Sequence, residues 1–182
     1  MKKLPRLICM LGFLVLFLLQ NSYSQNIKKI KKTGDYVQIA LPLTALASTY
    51  VKTDATLRKQ YFESFAATLF VTYVGKLTVP TLRPDGSDSY SWISGHTAAS
   101  VFGAAFMEKH FGLKIGIPAY IAAGFVGWSR VKSKKHSAGD VLRGAIAGAF
   151  FPHWDLAKLH KTIKIKATNI ENGIGLNLEL SW

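Results

Sequence analysis

The 182-residue sequence predicts an all-α protein, a bundle of about five to six helices followed by a short β-hairpin-like tail. Three observations predict it. Apolar runs of roughly 14 to 18 residues recur between short polar connectors and read as helices. Two of these runs are dense in glycine and alanine, which lets helices pack closely. In the tail the pattern changes to strict alternation on either side of Asn172-Gly173, a hairpin signal.

The chain opens with Lys2, Lys3 and Arg6, then the apolar run Leu7 to Leu19, then a polar stretch from Gln20 to Gln25. That is the order of an export signal, and small residues at Ser22 and Ser24 suit cleavage after Ser24. Residues 1–24 are therefore expected to be a signal peptide, with an uncleaved anchor as the alternative; the run is short for a spanning helix of about 20 residues. Cys9 is the only cysteine, so an intramolecular disulfide and thiol chemistry are both excluded.

Lys28 to Lys32 reads as a basic, solvated leader. The helical domain is expected over residues 36–152. Tyr36 to Val51 is apolar and helical despite Pro42. Lys52 to Lys59 is a polar connector, and Tyr61 to Val74 is the next helix. Lys76 to Trp92 reads as a loop, because it holds Pro80, Pro84, Gly86 and several serines and aspartates. Ser94 to His110 is a helix rich in small residues, Ile115 to Trp128 another, and Ser129 to Lys135 a basic loop. Ser137 to Phe151 is the last helix, ended by Phe151-Pro152. In the tail, residues 160–182, Thr162 to Lys166 and Ile174 to Leu180 alternate.

The formal net charge is +13. Nucleic acid, an anionic membrane surface and an anionic substrate compete to explain it. No nucleic-acid motif occurs and the lysines are not gathered on one helix, so a membrane surface or a phosphate substrate fits better. The helices are borderline for a membrane, since Pro118 and Arg143 interrupt two of the runs. If they span, Lys52, Arg58, Lys59 and the lysine-rich tail fall on the cytoplasmic side, and the chemistry-bearing segments fall outside.

Those segments are three. Ser129-Arg130, five residues, His136, three residues and Asp140 place an arginine fork that matches phosphate oxygens near a histidine and an acid on one helical face. Upstream stand Lys76, six residues, Arg83-Pro84, and then Ser94-Gly95-His96. Ser94 suits an N-cap, and a helix N-terminus offers free amides and a positive dipole to an anion. Lys76, Arg83 and Arg130 supply charge for the oxygens of a transferring phosphoryl group. Plainer readings suffice elsewhere. His110, His153 and His160 are surface or helix-end residues. Asp85 and Asp88 belong to a turn rather than a metal site. Lys132, Lys134 and Lys135 form a solvated loop that can also attract an anionic head group. Trp92 and Trp128 pack beside the motifs or sit at an interface.

In order and spacing, these segments resemble the signatures of the type 2 phosphatidic acid phosphatase superfamily, which also contains bacterial acid phosphatases and vanadium haloperoxidases. Its signatures are Lys-x6-Arg-Pro, Pro-Ser-Gly-His and Ser-Arg-x5-His-x3-Asp. The first and third are matched fully; in the second, Ile93 stands where the family has proline. The resemblance implies a helical bundle of acid-phosphatase type in which His136 attacks phosphorus, Asp140 orients and charge-balances it, and His96 protonates the leaving oxygen and then activates water. It implies that Lys76, Arg83, Ser94, Gly95 and Arg130 hold the phosphate, and that no metal or cofactor is needed. The function it implies is hydrolysis of a phosphate monoester or diphosphate, with a lipid such as phosphatidate or a polyprenyl diphosphate as the substrate, by an exported protein associated with the membrane and facing the periplasm. The alternatives are a soluble periplasmic acid phosphatase of broad specificity, a vanadium haloperoxidase, and a non-catalytic protein that keeps the scaffold.

Overall fold

The computed structural model describes residues 27–154, 163–170 and 173–180. The signal or anchor expected over residues 1–24 lies outside them, as does Asn172 of the expected turn. The described residues form five helices, α1 (Ile27–Val51), α2 (Ala55–Thr78), α3 (Gly95–Phe111), α4 (Leu113–Lys132) and α5 (Ala138–His153), then strands β1 (Ile163–Ile170) and β2 (Gly173–Leu180). The all-α bundle expected from the sequence is the fold. The two strands pair antiparallel, with Ile163 opposite Leu180 and Ile170 opposite Gly173.

Every helix runs past the limits read from its apolar core at one end or both. Lys28 to Lys32 is not a leader but the first turns of α1, because Ile30 extends the buried stripe of Gly34, Val37, Leu41 and Ala45 at helical spacing. The second half of the connector Lys52 to Lys59 belongs to α2. Asp54 is its N-cap, accepting from the amides of Thr56 and Leu57 at 2.9 and 3.1 Å. At its other end α2 reaches Thr78, so Lys76 sits on a helix and not in a loop. Likewise α4 continues through Ser129 and Arg130 to Lys132. Basic side chains there face the negative end of the helix dipole, which favours them.

The centre of the bundle is α3. Every residue from Thr97 to Met107 is buried, because α1, α2, α4 and α5 all pack on it. A helix enclosed on all sides must be apolar or small throughout. The core gathers Val37, Leu41, Tyr61, Phe102, Phe106 and Val126. The Tyr61 ring meets Phe102 and Phe106 edge-on at 5.3 and 5.1 Å, and its hydroxyl donates to the Pro42 carbonyl at 2.8 Å, so the buried phenol is satisfied. The outer faces keep large apolar side chains in contact with solvent, among them Ile39 and Leu43 of α1, Phe70 and Leu77 of α2, Ile121 of α4 and Ile146 of α5. None of the described helices is long and apolar enough to cross a membrane.

One end of the bundle collects the last turns of α2 and α4, the first turns of α3 and α5, and the loop from Val79 to Ser94. The Ser94 amide donates to the Asp140 carbonyl at 2.9 Å, tying the starts of α3 and α5 together.

Candidate active site

His136 lies between α4 and α5, immediately before the Ser137 cap of α5. The chain turns there because Lys134 adopts a positive φ of 56° and the amides of Lys135 and His136 both donate back to the Arg130 carbonyl, at 3.0 and 3.3 Å. The His136 side chain is 3% exposed. Its Nδ1 is 3.0 Å from the Ser91 carbonyl oxygen. A carbonyl can only accept, so Nδ1 carries the hydrogen and Nε2 keeps a lone pair. Burial lowers the His136 pKa to about 4; the Ser91 carbonyl opposes this, and the charges of Arg83 and Lys76 reinforce it. The imidazole is therefore neutral at neutral pH.

Asp140 opens α5, 1% exposed. Its Oδ2 accepts from the Ser91 hydroxyl at 2.6 Å and from the Ser137 amide at 2.8 Å, and its Oδ1 accepts from Arg143 Nη2 at 2.6 Å. The Ser137 hydroxyl accepts from the Asp140 amide in return, a capping box. Burial pushes the carboxyl pKa up, but the hydrogen bonds from Ser91, Ser137 and Arg143 outweigh it and hold it below the usual carboxylate value. Asp140 Oδ2 is 3.6 Å from His136 Nδ1, beyond hydrogen-bond range, so the acid reaches the imidazole through Ser91. Ser91 and Arg143 were not among the residues read from the sequence. Arg143 stands three residues after Asp140, a helical neighbour that spacing could have flagged. Its guanidinium lies 3.9 Å from the Trp92 ring centre and its Nε donates to the Trp92 carbonyl at 2.5 Å. Nothing in the sequence marks Ser91.

His96 occupies the first turn of α3. Its Nε2 is 3.1 Å from Asp35 Oδ1, and the same oxygen is 2.7 Å from Arg130 Nη1. Arg130 is 2% exposed and also donates from Nη2 to the Lys31 carbonyl at 2.6 Å and from Nε to Ser129 Oγ at 3.1 Å. A guanidinium has five N–H groups, so each terminal nitrogen keeps a second donor beyond these three bonds. Burial, first, and then the charges of Arg130 and His136 lower the His96 pKa to about 4 against the opposing pull of Asp35.

Lys76 projects toward the start of α3, where a Cβ built on Gly95 would stand 3.6 Å from Lys76 Nζ. Burial lowers the Lys76 pKa and the neighbouring Arg83 adds to this. Arg83 Nε lies 2.9 Å from Asp88 Oδ1 but lacks hydrogen-bond geometry toward any acceptor. Lys135, read as part of a solvated loop, pairs with Asp85 at 2.6 Å and so ties the Arg83 turn to the His136 turn. Ser94 is fully buried and caps α3, accepting from the Thr97 amide at 3.3 Å and the Thr97 hydroxyl at 2.9 Å. The Gly95 and His96 amides, in the first turn of α3, have no carbonyl partner within the helix and lie at the same end of the bundle. Ile93, where the family signature has proline, is buried against α2, where a Cβ on Gly75 would stand 3.6 Å from its Cγ2.

The fold thus gathers His96, Lys76, Arg83, Ser94, Gly95, Arg130, His136 and Asp140 at one end, and adds Asp35, Ser91 and Arg143. It pairs a neutral, buried imidazole with a helix N-terminus and three cations, an arrangement suited to an anion attacked at its centre.

Over 77 residues the chain is 38% identical to the lipid A 1-phosphatase of Porphyromonas gingivalis. The matched stretch is 41% of this chain and 17% of that protein, so the chain spans a minor part of the relative's length. No family model matches the chain. No solved structure matches it.

Proposed function

We propose that the chain is a phosphatase of the type 2 phosphatidic acid phosphatase class that hydrolyses a lipid phosphate, without a metal, through a phosphohistidine. The observation that carries the proposal is the His136–Ser91 contact of 3.0 Å, which leaves a buried, neutral imidazole with its Nε2 lone pair beside Lys76 and Arg83. In the first step Nε2 attacks phosphorus as the P–O bond to the leaving group breaks, and His96 gives that oxygen a proton. In the second, water loses a proton to His96 and attacks phosphorus, and the N–P electron pair returns to Nε2. Lys76, Arg83, Arg130 and the α3 amides hold the equatorial oxygens. Phosphate adds negative charge beside His96, which raises its pKa and favours the acid form it needs.

Two findings favour a lipid. The matched relative is named for a phosphatase that acts on lipid A, and the outer faces of the helices carry exposed large apolar side chains. Export by the N-terminal segment would place the site in the periplasm or at the periplasmic face of the inner membrane. The test is phosphate release from lipid A, phosphatidate, a polyprenyl diphosphate and a water-soluble monoester, each with chelator present. Lipid substrates should be turned over and the phosphoenzyme trapped by acid-labile ³²P labelling. Turnover that survives His136→Ala removes the assignment of the nucleophile, and hydrolysis of the soluble ester alone removes the lipid.

A further inference from the structure

We propose that Asp35 is the positioning residue for His96: its carboxylate fixes hydrogen on Nε2 and leaves Nδ1 to pass the proton to the leaving oxygen and take it back from water. The inference deepens the phosphatase reading and rests on it. Asp35 stands on α1, outside every signature motif. Asp35 Oδ1 stands 3.1 Å from Nε2 and can only accept, so it favours hydrogen on that nitrogen. In the first step the Nδ1–H bond breaks as the leaving oxygen takes the proton, and in the second Nδ1 regains one from water.

The surroundings are arranged to hold that carboxylate still. Arg130 grips two successive turns of α1, the Lys31 carbonyl at 2.6 Å and Asp35 Oδ1 at 2.7 Å. Gly34, the residue before Asp35, makes the grip possible: a Cβ there would collide with Ser129 Oγ and stand 2.6 Å from Arg130 Nη2. The charged and titratable groups that face His96 are Asp35 from α1, Arg130 from α4 and His136 from the turn before α5. Of these only Asp35 favours the imidazolium, the form that can act as an acid.

The test compares the full-length wild type with Asp35→Asn, Asp35→Glu, His96→Ala and His136→Ala on two soluble monoesters. One is p-nitrophenyl phosphate, whose leaving group needs no proton, and the other is an alkyl phosphate, whose leaving group does. For Asp35→Asn, kcat/KM is expected to fall about 10²-fold on the alkyl ester and only a few-fold on the nitrophenyl ester, the same pattern as His96→Ala. The alkaline limb of its pH profile should move to lower pH, and Asp35→Glu should restore part of the loss. Equal losses on both esters with an unmoved pH profile would make Asp35 structural and overturn the proposal. Tighter inhibition by inorganic phosphate with raised kcat/KM would also overturn it, because the carboxylate would then be a competitor for the phosphate site. If Asp35→Asn does not fold, the two esters are compared on Asp35→Glu, whose longer arm moves the carboxylate. A wild type that turns over neither ester sinks the phosphatase reading itself, and turnover that survives His136→Ala removes His136 as its nucleophile, whereas the two Asp35 results sink only this one.

Discussion

Ser91 holds His136 with its backbone and Asp140 with its side chain: the carbonyl lies 3.0 Å from His136 Nδ1 and the hydroxyl 2.6 Å from Asp140 Oδ2. The tautomer of His136 therefore depends on a main-chain atom, and the carboxylate acts one step removed. Ser91→Ala keeps the carbonyl and removes one buried hydrogen bond, so kcat should fall about tenfold or less, the worth of such a bond. Asp140→Asn weakens the bonds to Arg143, Ser91 and the Ser137 cap together and should cost about 10²-fold. Comparing kcat of the two variants checks the order; a Ser91→Ala enzyme as impaired as Asp140→Asn would contradict it.

Arg143 links Asp140 to the Trp92 ring and carbonyl. Lysine cannot supply a planar fork that stacks and donates in two directions. Arg143→Lys should lower stability by about 1 to 3 kcal/mol through the lost bonds to buried acceptors. It should also lower kcat, because a single ammonium cannot hold Asp140 and the Trp92 carbonyl together as the guanidinium does. KM should stay within a few-fold, since the bonds of Arg143 go to Trp92 and Asp140 rather than to the groups proposed to hold phosphate. Urea midpoints and steady-state kinetics on p-nitrophenyl phosphate read both effects.

Acid should destabilise the fold in a window set by the histidines whose pKa the fold lowers. The His136 pKa is lowered by burial to about 4, from the ordinary imidazole value of about 6.5. As pH falls below that value, the unfolded chain takes up the proton and the folded one does not, so stability is lost from about pH 6.5 down to about pH 4 and the loss then levels off. For the 3% exposed His136 side chain it amounts to at most about 3 kcal/mol. His96 and His110, both lowered to about 4 with burial as the first cause, act in the same direction. Asp140, held below its usual value, takes over at still lower pH. Urea midpoints measured from pH 7 to pH 4 should fall, and His136→Asn should flatten that slope. An equal slope in the variant would show that other groups carry it.

The same free-enzyme pKa values place the pH optimum of kcat/KM on the acid side. In the proposed mechanism His136 must be neutral to attack and His96 protonated to give its proton. Both lie near 4, so the fraction of enzyme with His96 charged falls as pH rises above that value. Phosphate bound as proposed would raise the His96 pKa, so the optimum of kcat should lie at higher pH than that of kcat/KM. Coincident profiles for the two parameters would remove the electrostatic link between phosphate and His96.

The helices were legible because their apolar stretches are long and local in sequence. Their ends were not, because Lys28 to Lys32, Lys76 and Arg130 are polar and look like loop until the neighbouring helices are in place. His136 and Asp140 were legible because they stand four apart in sequence, although the helical face expected to join them is not formed: His136 precedes the Ser137 cap and lies outside α5. Asp35 was not, since it meets Arg130 across 95 residues, and no local pattern records a contact made by packing α1 on α4. Ser91 meets Asp140 across 49 residues in the same way. Motif spacing reveals groups carried on one element, while the partners that tune them arrive through the tertiary fold.

The closeness of α3 and α5 sets the distance between the segments that carry His96 and His136, and two glycines set that closeness. A Cβ on Gly144 would stand 2.5 Å from the Ser94 carbonyl, and one on Gly148 would collide with the Ala98 carbonyl and stand 2.9 Å from the Phe102 amide. These are backbone atoms of a fully enclosed helix, so relief requires the helices to part. Gly148→Val should therefore cost about 1 to 3 kcal/mol of stability and lower kcat as well, because the Ser94–Asp140 tie sits on the same contact. Gly124, also in a helix, has nothing within 4 Å of its would-be Cβ. There alanine should instead stabilise by about 0.5 to 1 kcal/mol, the helix-propensity difference. Urea midpoints that move in opposite directions for Gly148→Val and Gly124→Ala are the expected result; equal losses would mean that backbone freedom, and not the α3–α5 approach, decides both.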